Sequence, residues 1–304
     1  MRIPVILFLL ACLSACNSSP TTTESAEATP EQAETPESAP PSDVPETKPT
    51  SAPVASSEQR LAGYYIGDFE AAKLDESQNY SYSNRINISI ERMGDGQISG
   101  RSIVAGNDRP FSGTYTAKEN GTFEVEAKEP GDDKYDGVFS FQILPKGEKI
   151  VGTWKANNGS LAVSEREYVL EKRTFSYDPN NDLPEDVSWA QLYNGEHPEE
   201  FLEEAESLSE DVLKFNPSKV ALKKEDVENM FRGDLEIMRN SIYARHGYSF
   251  KNRKMRYIFD HYVEWYIPVS VDIRNELTAL EKQNIELIKR YEEHAEKYYD
   301  YFGR

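Results

Sequence analysis

From residue 61 to about 175 the large apolar residues recur at every second position, and after Tyr177 they recur at helical spacing. No other feature constrains the fold so strongly, because a period of two suits a strand with one buried face and a period near 3.6 suits a helix. Ile86, Ile88 and Ile90 alternate with Arg85, Asn87, Ser89 and Glu91. Phe123, Val125 and Ala127 alternate with Glu124 and Glu126, and Phe139, Phe141 and Ile143 with Ser140 and Gln142. The evenly spaced stretches GDGQ (94–97), KENG (118–121), EPGDDKYDG (129–137) and PKGEK (145–149) carry turn chemistry. Together they predict a meander of about eight half-buried antiparallel strands, from AGYYIGDF to SEREYVLEK. Closing it into a small up-and-down barrel removes its exposed edges. The expected fold class is α+β and multidomain, with an antiparallel barrel over 61–177 and an all-helical module over 183–304.

In the second half, HPEEFLEEAESLSEDVLKF places Pro198 near a helix start and spaces Phe201, Ala205, Leu208 and Val212 along one helical face. A later helix is expected to take Asp234 as its N-cap, with Leu235, Met238 and Ile242 on one stripe. It should stop at Gly247, which adopts the left-handed conformation at low cost, and Tyr248 and Phe250 then fold back over the last turn. Arg245 and His246 sit in that turn, where the helix dipole favours cations. Arg239, Tyr243 and His246 follow at i, i+4 and i+7, so a guanidinium, a phenol and an imidazole share one side. With Asn240 and Arg245 they form the candidate binding site, suited to a carboxylate, a polar sugar or the carbonyl end of a neighbouring helix. Met255, Ile258, Phe259 and Tyr262 predict a short amphipathic helix ending at Trp265, and Leu280, Asn284, Leu287 and Tyr291 a final helix laid against it. The aromatics of EEHAEKYYDYF extend that last helix and are expected to dock on the barrel, with a partner as the alternative.

The first sixteen residues, MRIPVILFLLACLSAC, carry one basic residue and an apolar run too short to span a bilayer, as in a cleaved export signal over 1–15. From 16 to 60 the chain turns to Ser, Thr, Pro, Glu and Ala, a composition that cannot bury enough apolar surface to offset chain entropy. As an ideal coil this tether spans on the order of 35–40 Å. Both cysteines, Cys12 and Cys16, lie in the leader, which excludes disulfides and Cys-based metal sites from the folded part. The net charge of -19 and the pI near 4.7 exclude nucleic acid as a partner and disfavour anionic lipid surfaces, so a membrane attachment must be covalent or apolar.

Three resemblances add to this reading. Leu13-Ser14-Ala15-Cys16 resembles the lipobox of bacterial lipoproteins, which implies that Cys16 is lipidated and becomes the mature N-terminus. Several acyl chains, at roughly 0.8 kcal/mol per buried CH2, would then anchor the protein to the membrane. Asn17 in place of Asp implies, by that family's Gram-negative sorting rule, an outer-membrane lipoprotein facing the periplasm. Tyr243-Ala244-Arg245-His246-Gly247, preceded by Arg239-Asn240 and followed by Trp265-Tyr266 and Pro268, resembles the YARHG domain over about residues 222–293. That family implies an extracytoplasmic binding or packing module with no known reaction. Finally, Gly63-Tyr64-Tyr65, Gly113-Thr114-Tyr115 and Gly152-Thr153-Trp154 resemble the Gly-x-Trp of lipocalin-like barrels, although the tryptophan version falls on a late strand.

The expected function is a lipid-anchored cell-envelope protein that is not an enzyme and uses no cofactor or metal. Its helical module would bind or scaffold an envelope partner, either a protein or peptidoglycan. The alternatives are a lipocalin-like barrel carrying a small apolar ligand, and a hydrolase of unrecognised type. Asp178, Asn180 and Asp182 imitate half an EF-hand loop, but Leu183 stands where the glycine is required and Trp189 where the bidentate Glu is required. HExxH, P-loop and GxSxG patterns are absent from the sequence.

Overall fold

The computed structural model describes residues 59–78, 80–187 and 208–299. The lipobox, the tether up to residue 58, the stretch from Pro198 to Ala205, Trp189, and Tyr301 and Phe302 lie outside the described residues, whereas the last two tether positions, Gln59 and Arg60, belong to a 3-10 turn that runs to Leu61.

Eight strands close a barrel in chain order: β1 (Gly63–Leu74), β2 (Arg85–Gly94), β3 (Gln97–Val104), β4 (Asn107–Ala117), β5 (Phe123–Lys128), β6 (Gly137–Ile143), β7 (Lys149–Ala156) and β8 (Val163–Arg173). Each strand pairs antiparallel with its neighbour, and β8 returns to β1 through pairs such as Phe69 with Tyr168. The period-two alternation fixes which residues point inward. Tyr65, Ile86, Ile88, Phe139, Ile143, Ile150 and Leu170 are buried together in one barrel core. Burying each such side chain stabilises the fold by roughly 1.5–3 kcal/mol.

One strand departs from the expected half-buried pattern. β2 is covered on both faces, since Asn87 and Ser89 are buried along with the isoleucines between them. The cover on its outer face is the helical half of the molecule. Arg85 donates through its backbone N–H to Asp260 Oδ2 at 2.9 Å, and through its guanidinium to the carbonyls of Val263, Tyr266 and Asp260. Asn87 Nδ2 donates to the carbonyl of Pro268 at 2.8 Å. At the β3–β4 turn Gly106 has φ +72° and its N–H donates to Ser249 Oγ at 3.0 Å, while a Cβ there would lie 2.1 Å from Lys251 Cγ. Only glycine combines that backbone conformation with so close an approach.

The helical half comprises α1 (Glu210–Lys214), α2 (Lys224–Val227), α3 (Arg232–Arg245), α4 (Arg253–His261) and α5 (Ala279–Tyr298). Leu235, Met238, Met255, Ile258, Phe259, Tyr266 and Ile288 belong to its apolar core. No helix among the described residues is long and apolar enough to cross a membrane.

Three local expectations need correction. Asp234 is not the N-cap of α3: Phe231 holds that position, and the buried Asp234 carboxylate instead accepts from the N–H and hydroxyl of Ser209, which joins α3 to the start of α1. The buried face of α5 is turned from the expected stripe and runs through Glu281, Asn284, Ile285, Ile288 and Ala295, with Leu287 and Tyr291 at its edge. Polar partners set this rotation: Asn284 accepts from Leu222 N and donates to the carbonyls of Pro217 and Val220, and Glu281 is drawn inward as described below. Of the C-terminal aromatics, Tyr299 packs on the helical core and Tyr298 is exposed, so neither docks on the barrel.

Candidate binding site

The C-terminus of α3 is a closed helix terminator. Gly247 has φ +70°, its N–H donates to the Ala244 carbonyl at 2.9 Å, and the Tyr248 N–H donates to the Tyr243 carbonyl at 3.1 Å. This is the double hydrogen-bond pattern of a Schellman ending, and the rings of Tyr243 and Tyr248 meet edge to face at 6.2 Å across it. The chain then turns back, with Val269 N donating to the Gly247 carbonyl and Ser249 N to the Ser270 carbonyl.

The five candidate residues divide between two environments. Arg245 and His246 are buried. The Arg245 guanidinium donates to the Asn181 carbonyl at 2.7 Å and to Ser241 Oγ at 2.8 Å, and its carbon lies 5.8 Å from the centre of the Trp265 ring. Burial lowers its pKa to about 10, against the attraction of Asp182 and Glu281. His246 Nε2 is 2.8 Å from Glu281 Oε2, and the imidazole stacks on Tyr177 with centroids 4.3 Å apart and planes at 18°. The Tyr177 hydroxyl also donates to Glu281, at 3.1 Å.

Glu281 thus accepts from Tyr177 as well as from the Thr278 N–H at 2.9 Å, and Thr278 Oγ1 accepts from the Glu281 N–H in turn. Burial opposes its charge, but the hydrogen bonds from His246 and Thr278 outweigh it and hold the pKa at about 2. Tyr177, Asn181 and Asp182 all belong to the connector that leaves β8, and Trp265 Nε1 donates to the Asp182 carbonyl at 2.8 Å. Arg245, His246 and Trp265 therefore fasten the connector across the end of α3.

Arg239, Asn240 and Tyr243 face elsewhere. All three line a cleft of about 640 Å³ together with Tyr248, Phe250, Asp272 and Arg274. Arg239 reaches over the edge of the cleft to Glu292 of α5, with Nε 2.9 and 3.1 Å from the two carboxylate oxygens, and its guanidinium lies 5.8 Å from the Tyr243 ring centre. Asn240 Nδ2 donates to the Glu236 carbonyl one turn back. Tyr243 and Tyr248 are half-buried and line the cleft, and Asp272 and Arg274 form an exposed ion pair on its rim. Such a surface offers aromatic side chains and neutralised polar groups. Among the described residues no group of three or more His, Cys, Asp or Glu is placed to hold a metal ion.

No periodicity or motif in the sequence marks the partners of the YARHG residues or the cleft residues Asp272 and Arg274. One signal is present: Thr278-x-x-Glu281 has the capping-box pattern, which marks a helix start and turns the glutamate back onto the N-cap backbone. Tyr177 and Asn181 carry no local signal, because they act through contacts dozens of residues away.

Comparison with curated proteins found no match. Among solved structures, the crystal structure of Echinococcus granulosus fatty-acid-binding protein 1 is similar at 10% sequence identity over 38% of this chain and 99% of that one, with a TM-score of 0.22, too low to bear on fold or ligand. In the helical half, where the Arg-His pair and the cleft both lie, residues 215–293 match the YARHG domain.

Proposed function

We propose that this chain is a lipid-anchored, non-catalytic binding protein of the bacterial cell envelope, in the outer membrane and facing the periplasm. Cys16 carries the acyl chains, the Pro- and Glu-rich stretch to residue 60 holds the folded part away from the bilayer, and the helical domain presents its cleft to an envelope partner, peptidoglycan or a protein. The observation that carries this reading is the placement of Arg239, Asn240 and Tyr243 on one concave surface beside Tyr248 and Phe250. Aromatic side chains flanked by an amide and by ion-paired charged groups suit a glycan ring or a peptide backbone. Arg245 and His246 support this surface from behind, since both side chains are spent inside the domain.

The test separates site from scaffold. Sedimentation with purified sacculi reads binding to peptidoglycan, and cross-linking from a photoreactive residue at position 274 reads binding to a protein. Capture in one of the two arms, abolished by Tyr243→Ala with the melting temperature nearly unchanged, is expected. Capture in neither arm, or capture indifferent to Tyr243→Ala, overturns the reading. Cys16→Ser should move the protein from the membrane to the soluble fraction, and persistence in the membrane would remove the anchor from the proposal.

A further inference from the structure

A second concave surface lies in the barrel and involves none of the cleft residues. One end of the barrel opens into a cavity of about 660 Å³ whose apolar wall includes Phe69, Phe139, Trp154 and Leu161. Five charged side chains border it: Arg109, Lys134, Arg166, Arg256 and Glu129. Four are cations, in a chain of net charge -19.

Their partners differ in kind. Arg109 is neutralised by Asp133 and Asp136, at 3.2 and 3.0 Å. The buried Glu129 carboxylate accepts from Ser102 Oγ at 2.6 Å, Gly137 N at 2.8 Å and Trp154 Nε1 at 3.2 Å. The Lys134 ammonium lies 4.6 Å from the centre of the Tyr135 ring. Arg256, on α4, donates from Nε to Asn84 Oδ1 at 3.1 Å and from a terminal nitrogen to the Lys251 carbonyl.

Arg166, on β8, is the exception. It is only 9% exposed, its hydrogen bonds among the described residues go to the backbone carbonyls of Phe69, Tyr82 and Ser81, and its guanidinium carbon lies 5.1 Å from the Phe69 ring centre. No carboxylate pairs with it among the described residues. Burial, with Arg256 acting in the same sense, lowers its pKa to about 10. Buried charges in folded proteins are ordinarily paired with an opposite charge, because burial removes the water that would otherwise stabilise them. Here the cation stands at the wall of a cavity, with a second guanidinium on the same wall.

We propose that the open end of the barrel binds a compact organic carboxylate, its anionic group held between Arg166 and Arg256 and its apolar body resting on Phe69, Phe139 and Trp154. A guanidinium fork matches a carboxylate in shape and charge. Glu129 on the same cavity favours a single negative charge on the ligand over two. The body must be compact because the interior beyond is filled: Ile86, Ile88 and Leu170 are fully buried in the barrel core and do not border the cavity, so a long acyl chain has no channel to enter. A neutral apolar ligand, the expectation for a lipocalin-like barrel, would leave Arg166 without its counter-charge. The site bridges β8 and α4, so a bound anion also ties the barrel to the helical half.

Calorimetric titration of the full chain with 2-naphthoate tests this, with 2-naphthalenemethanol as the neutral isostere and palmitate as the long-chain comparison. Saturable binding of naphthoate is expected, at least about tenfold tighter than the alcohol. Arg256→Gln should weaken naphthoate at least about tenfold and leave the alcohol unchanged, and this variant keeps an amide donor for the Asn84 contact. Arg166→Lys keeps the charge and loses the fork, and should weaken naphthoate as well. Absence of saturable binding to millimolar concentration, equal affinity for acid and alcohol, tighter binding of palmitate than of naphthoate, or affinity untouched by Arg256→Gln would each overturn the proposal.

Discussion

Gly247 and Glu281 show how differently two residues of one site are written into a sequence. Gly247 is legible because its role is local: a glycine placed just past an apolar helical stripe predicts a left-handed terminator, and its φ of +70° is the outcome. A Cβ there would lie 2.4 Å from Val269 Cγ2 and 2.9 Å from the Ile267 carbonyl oxygen, so space and backbone both exclude a side chain. Gly247→Ala is expected to destabilise the helical half by about 2 kcal/mol, read from chemical denaturation. Glu281 draws its role from His246, 35 residues away, and from Tyr177, 104 residues away, which no periodicity reveals. With its pKa held at about 2, below the ordinary carboxylate value, its charge contributes stability that is fully present above about pH 4.5 and drains as the pH falls toward 2. Unfolding free energies from urea denaturation across pH 2–6 should fall by roughly 2 kcal/mol more in the native chain than in Glu281→Gln, and parallel curves would remove the charge from the account.

The strands were legible as elements, since alternation alone assigns Ile86, Ile88 and Ile90 to the inside of the barrel. The burial of Asn87 and Ser89 was not, because polar residues at alternate positions read as a solvent face whether water or another domain covers them. Arg85 carries most of that cover, with guanidinium bonds to three carbonyls of the segment from Asp260 to Tyr266. Buried Asp260, whose pKa burial raises to about 7 in spite of Arg85, depends on the same side chain. Arg85→Ala is expected to destabilise this junction by about 3 kcal/mol, since it leaves three carbonyls without their donor and removes a positive charge from beside buried Asp260, whose carboxylate keeps only the backbone N–H of residue 85. Hydrogen exchange by mass spectrometry should show residues 253–266 losing protection ahead of the barrel core, and uniform protection would assign the junction to other contacts. The mistaken cap at Asp234 belongs to this scale too: helix α3 begins three residues earlier than a cap at Asp234 would place it, and burial against Ser209 gave that carboxylate a tertiary role.

At the scale of the whole molecule, the fold is a barrel and a helical domain whose connector is itself part of the helical domain's structure. The residues that name the domain are divided between two tasks. Tyr243, with Arg239 and Asn240, borders the cleft, while Arg245, His246 and Trp265 hold the connector at Tyr177, Asn181 and Asp182. The two halves were legible from the change of period near Tyr177; their interlocking was not, because it rests on backbone carbonyls that every residue possesses. The most direct measurement is a double-mutant cycle between connector and motif, with Tyr177→Ala, His246→Ala and the pair, by urea denaturation at neutral pH. A coupling energy of about 1 kcal/mol or more is the expected result, and additivity to within about 0.3 kcal/mol would contradict the fastening role of the buried Arg-His pair.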